Sequence, residues 1–368
     1  MRKYLTEIYL MHSIHGAAGA LIGIFIPIYL LNLKFSLAQI IVYYFIYSAA
    51  VFLFSFFSGW LSLKIGLKGI VILSFPFLLG HIGTLYLLSY GFQTPLFAIA
   101  VLNGIQAAFY WFPLHLFFSR HSEIDSMGDQ VARFFAWPKL AGILAPLIGA
   151  GIVAFGGFQL LILTAGLIYM ASIVPLIYIP EFSLKIDFRF KKFISLFKRN
   201  TRYFFVEIAE NIREDAEGIL WPIFVFLTLQ KVLSVGLVGT LAGIGSIIFT
   251  FLVGRYADKT NKKHLMKIAA LMMALIWFAR FYFPNEIVFY LSALLTGFFA
   301  ILLAVPFTSI MYGLAKTKES EIEEFILFRE IPVFLGRALL YTIVLFLIAN
   351  FKYFLLFTAF SHAIFFFY

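Results

Sequence analysis

The residues able to do chemistry crowd into one short stretch, Val206-Glu207-Ile208-Ala209-Glu210-Asn211-Ile212-Arg213-Glu214-Asp215-Ala216-Glu217-Gly218, which runs directly into the apolar Ile219-Leu220-Trp221-Pro222. Counting back about 20 residues from Leu229, the length of one membrane crossing, puts Glu214, Asp215 and Glu217 inside the hydrocarbon. Each charge placed there costs about 2.5 to 3.5 kcal/mol, so such residues face a polar cavity or a partner. At the helical repeat Glu207, Asn211, Glu214 and Gly218 form one stripe, and Glu210, Arg213, Glu217 and Trp221 the next. Arg213 stands three residues from Glu210 and four from Glu217, which predicts a salt-bridge ladder that neutralises itself. Glu214 has no basic residue at helical spacing on its own helix. A carboxyl held in such surroundings without a counter-charge can take and release protons near neutral pH. Glu214 is therefore the first candidate for a proton-coupling site, followed by Glu210 and Glu217. The alternative is that the helix protrudes and these acids are solvated at the mouth of the protein.

The elements that must carry this stretch are membrane helices. Of the 368 residues 62% are hydrophobic and 12% charged, and the mean hydropathy is +0.97. Soluble domains carry about 25% charge, so a cytosolic enzyme is excluded. With no cysteine there is no disulfide, thiolate metal site or cysteine nucleophile. Run length and polar punctuation predict an all-α polytopic membrane protein with twelve transmembrane helices. They fall near Ile8–Leu31, Leu37–Leu61, Ile70–Ser89, Pro95–Phe118, Phe134–Phe155, Phe158–Ile179, Tyr203–Leu229, Val232–Val253, His264–Phe283, Ile287–Leu314, Phe325–Ala349 and Tyr353–Tyr368.

The net charge of +10 points to topology rather than to nucleic acid. With a cytoplasmic N-terminus, 21 of the 28 Lys and Arg residues fall in cytoplasmic segments and only 4 outside, Arg280 among them; the other 3 lie within helices. This imbalance predicts a multi-pass protein of the cell membrane with both termini in the cytoplasm. Met1-Arg2-Lys3 precedes an apolar run that lacks a cleavage site, so it reads as the first crossing. The basic connection 181–202 separates a six-helix unit, 1–180, from a second, 203–368. Its Phe188-Arg189-Phe190-Lys191-Lys192-Phe193 suits anionic lipid headgroups. The units repeat: a shift of 195 places Pro27 on Pro222 and Gly59 on Gly254, and a shift of 194 places Pro138 on Pro332 and Gly142 on Gly336. Two pseudo-symmetric six-helix bundles follow.

After the eighth predicted helix the chain reads Gly254-Arg255-Tyr256-Ala257-Asp258-Lys259-Thr260-Asn261-Lys262-Lys263. This resembles the loop signature of the major facilitator superfamily, G-x-x-x-D-[RK]-x-G-[RK]-[RK], with Asn261 in place of the second glycine. The first-half counterpart, Gly59 to Lys68, keeps both glycines but has Leu63 where the aspartate belongs. The resemblance implies that Asp258, with Arg255 and Lys259, latches against the start of the fifth helix near Arg133. The alternative is that Arg255, Lys259, Lys262 and Lys263 serve orientation alone. It further implies a central cavity lined by the first, fourth, seventh and tenth helices. His12, His15, Gln106, Tyr110, His115, Asn211 and Trp221 are then substrate-contact candidates. The fifth helix, Ala141 to Gly151, is similar to the family's exporter-associated glycine motif with alanine at three of its glycines; small-residue packing around Pro146 is the equal alternative.

No P-loop, H-E-x-x-H, G-x-S-x-G or metal-ligand cluster stands in the sequence. The expectation is a secondary active transporter working by alternating access, not an enzyme, with no cofactor and no metal. It is expected to be a monomer driven by a proton or sodium gradient and to export an amphipathic or cationic small molecule. Uptake of a nutrient or peptide is the first alternative; a membrane sensor or lipid-processing enzyme is the second.

Overall fold

The computed structural model describes residues 5–368 except 93, 180 and 182–185; at 5, 251, 252, 254–259 and 319 it describes the backbone alone. The described residues are helical, with no strand among them. The helices are α1 (Leu5–Ile22), α2 (Ile26–Asn32), α3 (Leu37–Leu88), α4 (Leu96–His121), α5 (Met127–Gly142), α6 (Ala145–Ala171) and α7 (Phe190–Arg199). They continue as α8 (Thr201–Asp215), α9 (Trp221–Leu229), α10 (Val232–Lys259), α11 (Lys262–Tyr282), α12 (Glu286–Ala315), α13 (Ile322–Phe346) and α14 (Phe354–Ser361).

Among the described residues, 8 helical stretches are long and apolar enough to cross a membrane. Two of them, Leu37–Leu88 with 52 residues and Ile124–Tyr178 with 55, are about twice the length one crossing needs. Each breaks at a glycine. Gly66 adopts φ 75°, ψ 173° and Gly157 φ 72°, ψ −177°, conformations that a Cβ would strain. At Gly66 the Glu181 carboxyl fills the space a Cβ would need, and it accepts a bond from the Lys68 N–H at 3.2 Å. Helix starts follow local capping. Ser36 and Gln39 form a reciprocal capping box on α3, and Asn285 accepts from the Val288 N–H at 3.0 Å to open α12.

Packing runs along the chain and across it. The helix α3 lies against α4, α10 against α12, and α1 against α5 and α6, while α10 meets both α5 and α6 and α13 meets both α3 and α8. Small residues permit the closest of these approaches. Gly245 sits on the Leu294 carbonyl and Gly297 on the Ala242 carbonyl, so the α10 and α12 backbones nearly touch. Large apolar side chains point outward, with Phe155 96% and Phe346 85% exposed, as a lipid-facing surface requires.

Two sequence expectations need correction. The helix expected to begin at Phe134 begins at Met127, because Met127–Phe134 continues the helical repeat despite its polar residues. Arg280, assigned above to an outside connection, is fully buried near the end of α11.

Candidate functional site

The acidic stretch forms α8 and a π-helical turn, Ala216–Leu220, which leads into α9. The π turn precedes Pro222, whose missing N–H releases the carbonyl one turn back. One extra residue in that turn changes the register. Arg213 makes a two-pronged bond to Glu210, at 2.8 and 2.6 Å, whereas Glu217 turns away to Arg280 at 2.7 and 3.0 Å. The expected Glu210–Arg213–Glu217 ladder is thus half formed. Arg280 lies over the Trp221 and Trp277 rings, at 3.9 and 4.5 Å, and donates to Ser292 and Thr296.

A central cavity of about 340 Å³ is lined by Glu207, Glu210 and Glu214 of α8, by Arg329, Glu330 and Arg337 of α13, and by His12, Trp111 and His115. Its charges are closely paired. Arg329 lies 3.2 Å from Glu207 and 3.3 Å from Glu330, and Tyr203 donates to Glu207 at 2.7 Å. Behind the wall, Asp215 accepts from Tyr341 at 2.6 Å and lies 3.4 Å from Arg337. Glu214 differs from its neighbours: its side chain is 44% exposed and stands 3.8 Å from Arg213, whose short bonds go to Glu210.

A second cavity, of about 480 Å³, lies next to the first. Lys139, Arg213, Glu214 and Glu217 supply its polar side, and Gly142, Gly239, Gly243, Gly297, Ala300 and Ala304 much of the rest. Phe135 and Glu214 line both cavities and so stand where the two meet.

The predicted site residues separate by depth. His12, His115, Glu210 and Glu214 reach the central cavity and Glu217 the second one. His12 bonds the Tyr110 hydroxyl at 3.0 Å and stacks on Phe134, and His115 bonds the Tyr312 hydroxyl at 2.7 Å. Behind the wall, His15 stacks on Tyr110 with ring centroids 3.7 Å apart, Gln106 is buried, and Asn211 donates to Glu207 at 3.1 Å. Trp221 is buried against Arg280. The side chains of Arg255, Asp258 and Lys259 lie outside the described residues, and Arg133 pairs with Asp129 at 2.9 Å.

A second group of charges, at the end of the molecule that holds the linker, was not singled out in the sequence. Glu321, Glu323 and Glu324 open α13; Glu323 pairs with Arg120 at the end of α4, and Glu321 with Arg199 at 2.7 Å. Glu324 lies 3.6 Å from Lys192 and accepts from the Asp187 N–H at 2.9 Å. Lys316, just past α12, donates to the Ser122 carbonyl just past α4. Partial burial acts against the charged form of Glu321, but the Arg199 hydrogen bond and the charges of Arg199, Lys318 and Lys192 outweigh it and hold this carboxyl below its ordinary range. The available signal was the acidic run Glu321-Ile322-Glu323-Glu324 facing the basic linker.

A sequence profile described as the Major Facilitator Superfamily matches residues 8–210. No curated protein matches the sequence. Among solved structures, the human organic anion transporter MFSD10 (TETRAN) has a similar fold, with a TM-score of 0.71 at 14% identity over 100% of this chain and 99% of that one. A bacterial homologue of the iron transporter ferroportin, in an outward-facing state, gives 0.70 at 14% identity over 99% and 98%. The same homologue with soaked iron gives 0.69 at 14% over 98% of each chain. The match over more than half the sequence, on an all-helical fold enclosing a charged cavity, means that this multi-pass membrane chain belongs to the major facilitator superfamily and is a transporter rather than an enzyme.

Proposed function

We propose that the chain moves a small molecule by alternating access, coupled to protons, on twelve crossings arranged as two six-helix bundles of residues 1–180 and 203–368. The breaks at Gly66 and Gly157 support that count, since each divides a double-length helix into two crossings. The charged helices Thr201–Leu229 and Ile322–Phe346 supply the seventh and eleventh. Both termini lie in the cytoplasm of a cell membrane, on the side of the basic linker, and the protein works as a monomer.

The observation that carries the coupling reading is Glu214, the carboxyl common to both cavities, while Glu207, Glu210, Glu217 and Glu330 are each held by an arginine within 3.3 Å. A group reached from two compartments can load a proton from one and release it to the other as the bundles rock. Glu210 and Glu217 serve as secondary acids in that step. His12 and His115 contact cargo directly, and the aromatic wall with its surplus of acids favours an amphipathic cation, exported from the cell. His15, Gln106, Tyr110, Asn211 and Trp221 support these contacts from behind.

At the linker end, the Arg120–Glu323 pair and the Lys316–Ser122 bond are made when that end is shut, alongside a latch of Asp258, Arg255 and Lys259 toward Arg133. Proteoliposome flux of tetraphenylphosphonium under an imposed pH gradient tests the reading. Gradient-driven movement that Glu214→Gln abolishes is expected; equal movement without a proton gradient would defeat it.

A further inference from the structure

The linker helix α7 and the first turn of α8 build a basic groove whose lining shares no residue with either transport cavity. It has a volume of about 320 Å³ and is lined by Lys198, Arg199, Arg202, Lys263 and Tyr368 among others, with no acidic side chain among the described residues of its wall. Arg199 is committed to Glu321 at 2.7 Å. Lys198 and Arg202 are exposed and have no acidic partner among the described residues, and Lys263 rests over the Tyr368 ring at 5.0 Å. Asn200, which precedes α8, makes no side-chain cap to that helix, so its first-turn N–H dipoles add to the positive field.

Three uncompensated cations converging on one concave surface favour an anion carrying several acceptor oxygens. The neighbouring surface says where that anion comes from. On α7, Phe193 and Leu196 are buried, whereas Phe190, Ile194 and Phe197 recur at i, i+4 and i+7 and remain exposed. An exposed apolar stripe beside a cationic groove is the arrangement of a helix lying in the membrane interface, apolar side toward acyl chains. We propose that this groove binds the phosphate of an anionic phospholipid headgroup, with Lys198, Arg202 and Lys263 as its counter-ions and the α7 stripe against the acyl chains. The assignment does not depend on the coupling reading of Glu214.

The test uses the full-length protein purified in detergent and titrated with phosphatidylglycerol, phosphatidylcholine or inorganic phosphate, read by native mass spectrometry and thermal unfolding. Phosphatidylglycerol is expected to bind and stabilise while the other two do not. Each basic residue near an anionic surface contributes about 1 kcal/mol, so Lys198→Gln with Arg202→Gln and Lys263→Gln should weaken binding on the order of a hundredfold. Arg202→Gln alone should weaken it roughly fivefold, which keeps the test open if the triple variant folds poorly. Lys352→Gln, in the connection between α13 and α14 and outside the groove lining, should leave it unchanged. Equal stabilisation by phosphatidylcholine, an equal effect of inorganic phosphate, or unaltered phosphatidylglycerol binding by these variants overturns the proposal.

Discussion

At the residue scale, the acids of α8 show how neighbours divide work among chemically equal groups. Glu210 and Glu217 are neutralised by arginines at 2.6 and 2.7 Å, which fixes geometry; Glu214 keeps 44% exposure and only a 3.8 Å contact, which leaves it accessible from the cavities. Glu214→Gln should therefore retain binding of a cationic probe yet lose the flux that an imposed proton gradient drives. A variant with wild-type gradient-driven flux would remove Glu214 from the coupling role. Arg280→Met is expected to act on stability instead. It leaves the partly buried Glu217 without its counter-charge, a loss of about 3 kcal/mol, the lower end of the range for a buried pair. Thermal unfolding in detergent measures this, and adding Glu217→Gln should restore part of the loss.

At the element scale, backbone contact between α10 and α12 depends on Gly245 and Gly297, each against a carbonyl of the other helix. Gly297→Val drives two methyls into the Ala242 carbonyl and should cost about 1 to 3 kcal/mol by overpacking. Gly313→Ala, on the same helix with nothing near its Cβ position, should be close to neutral. Equal unfolding temperatures for the two variants would show that the helices can separate without loss. The π turn at Ala216–Leu220 belongs to this scale too, since it aims Glu217 at Arg280 and leaves Glu214 at the meeting of the cavities.

At the scale of the whole molecule, the charges that open α13 tie the linker and α4 together. Glu323→Gln removes one side of the Arg120 pair and should favour the state open at the linker end. The chain has no cysteine, so Thr308→Cys in the central cavity reports this without background. Its labelling by a cationic thiol reagent from the linker side should rise several-fold in the Glu323→Gln background; an unchanged rate would show that this pair does not hold the end shut. Acid should also loosen the linker, by a different group. Glu321 is held below its ordinary range, so its contribution is complete above the unfolded-state value of about 4.3 and is lost only as pH falls further through the lowered folded value. The protection of α7 against hydrogen exchange, after correction for the intrinsic amide rate, should accordingly hold at neutral pH and fall only in acid below the ordinary glutamate range.

The sequence by itself determined the solvent and the helices. Long apolar runs have no other way to satisfy their backbone in lipid, and charges placed among them on α8 had to face something polar. The loop from Gly254 to Lys263 also pointed to the family, because its glycine and charge pattern is local in the chain. The tertiary structure decided the partners. Arg280 read as a loop cation until helix packing placed it between Trp221 and Trp277, and Arg329 and Arg337 had several acids within reach until α13 settled against α8. The π turn likewise shifted a register that regular helical spacing assigns to Arg213. Ion pairing between helices depends on distances fixed only when the elements pack, so residues distant in sequence, such as Arg120 and Glu323, gain their meaning from the fold.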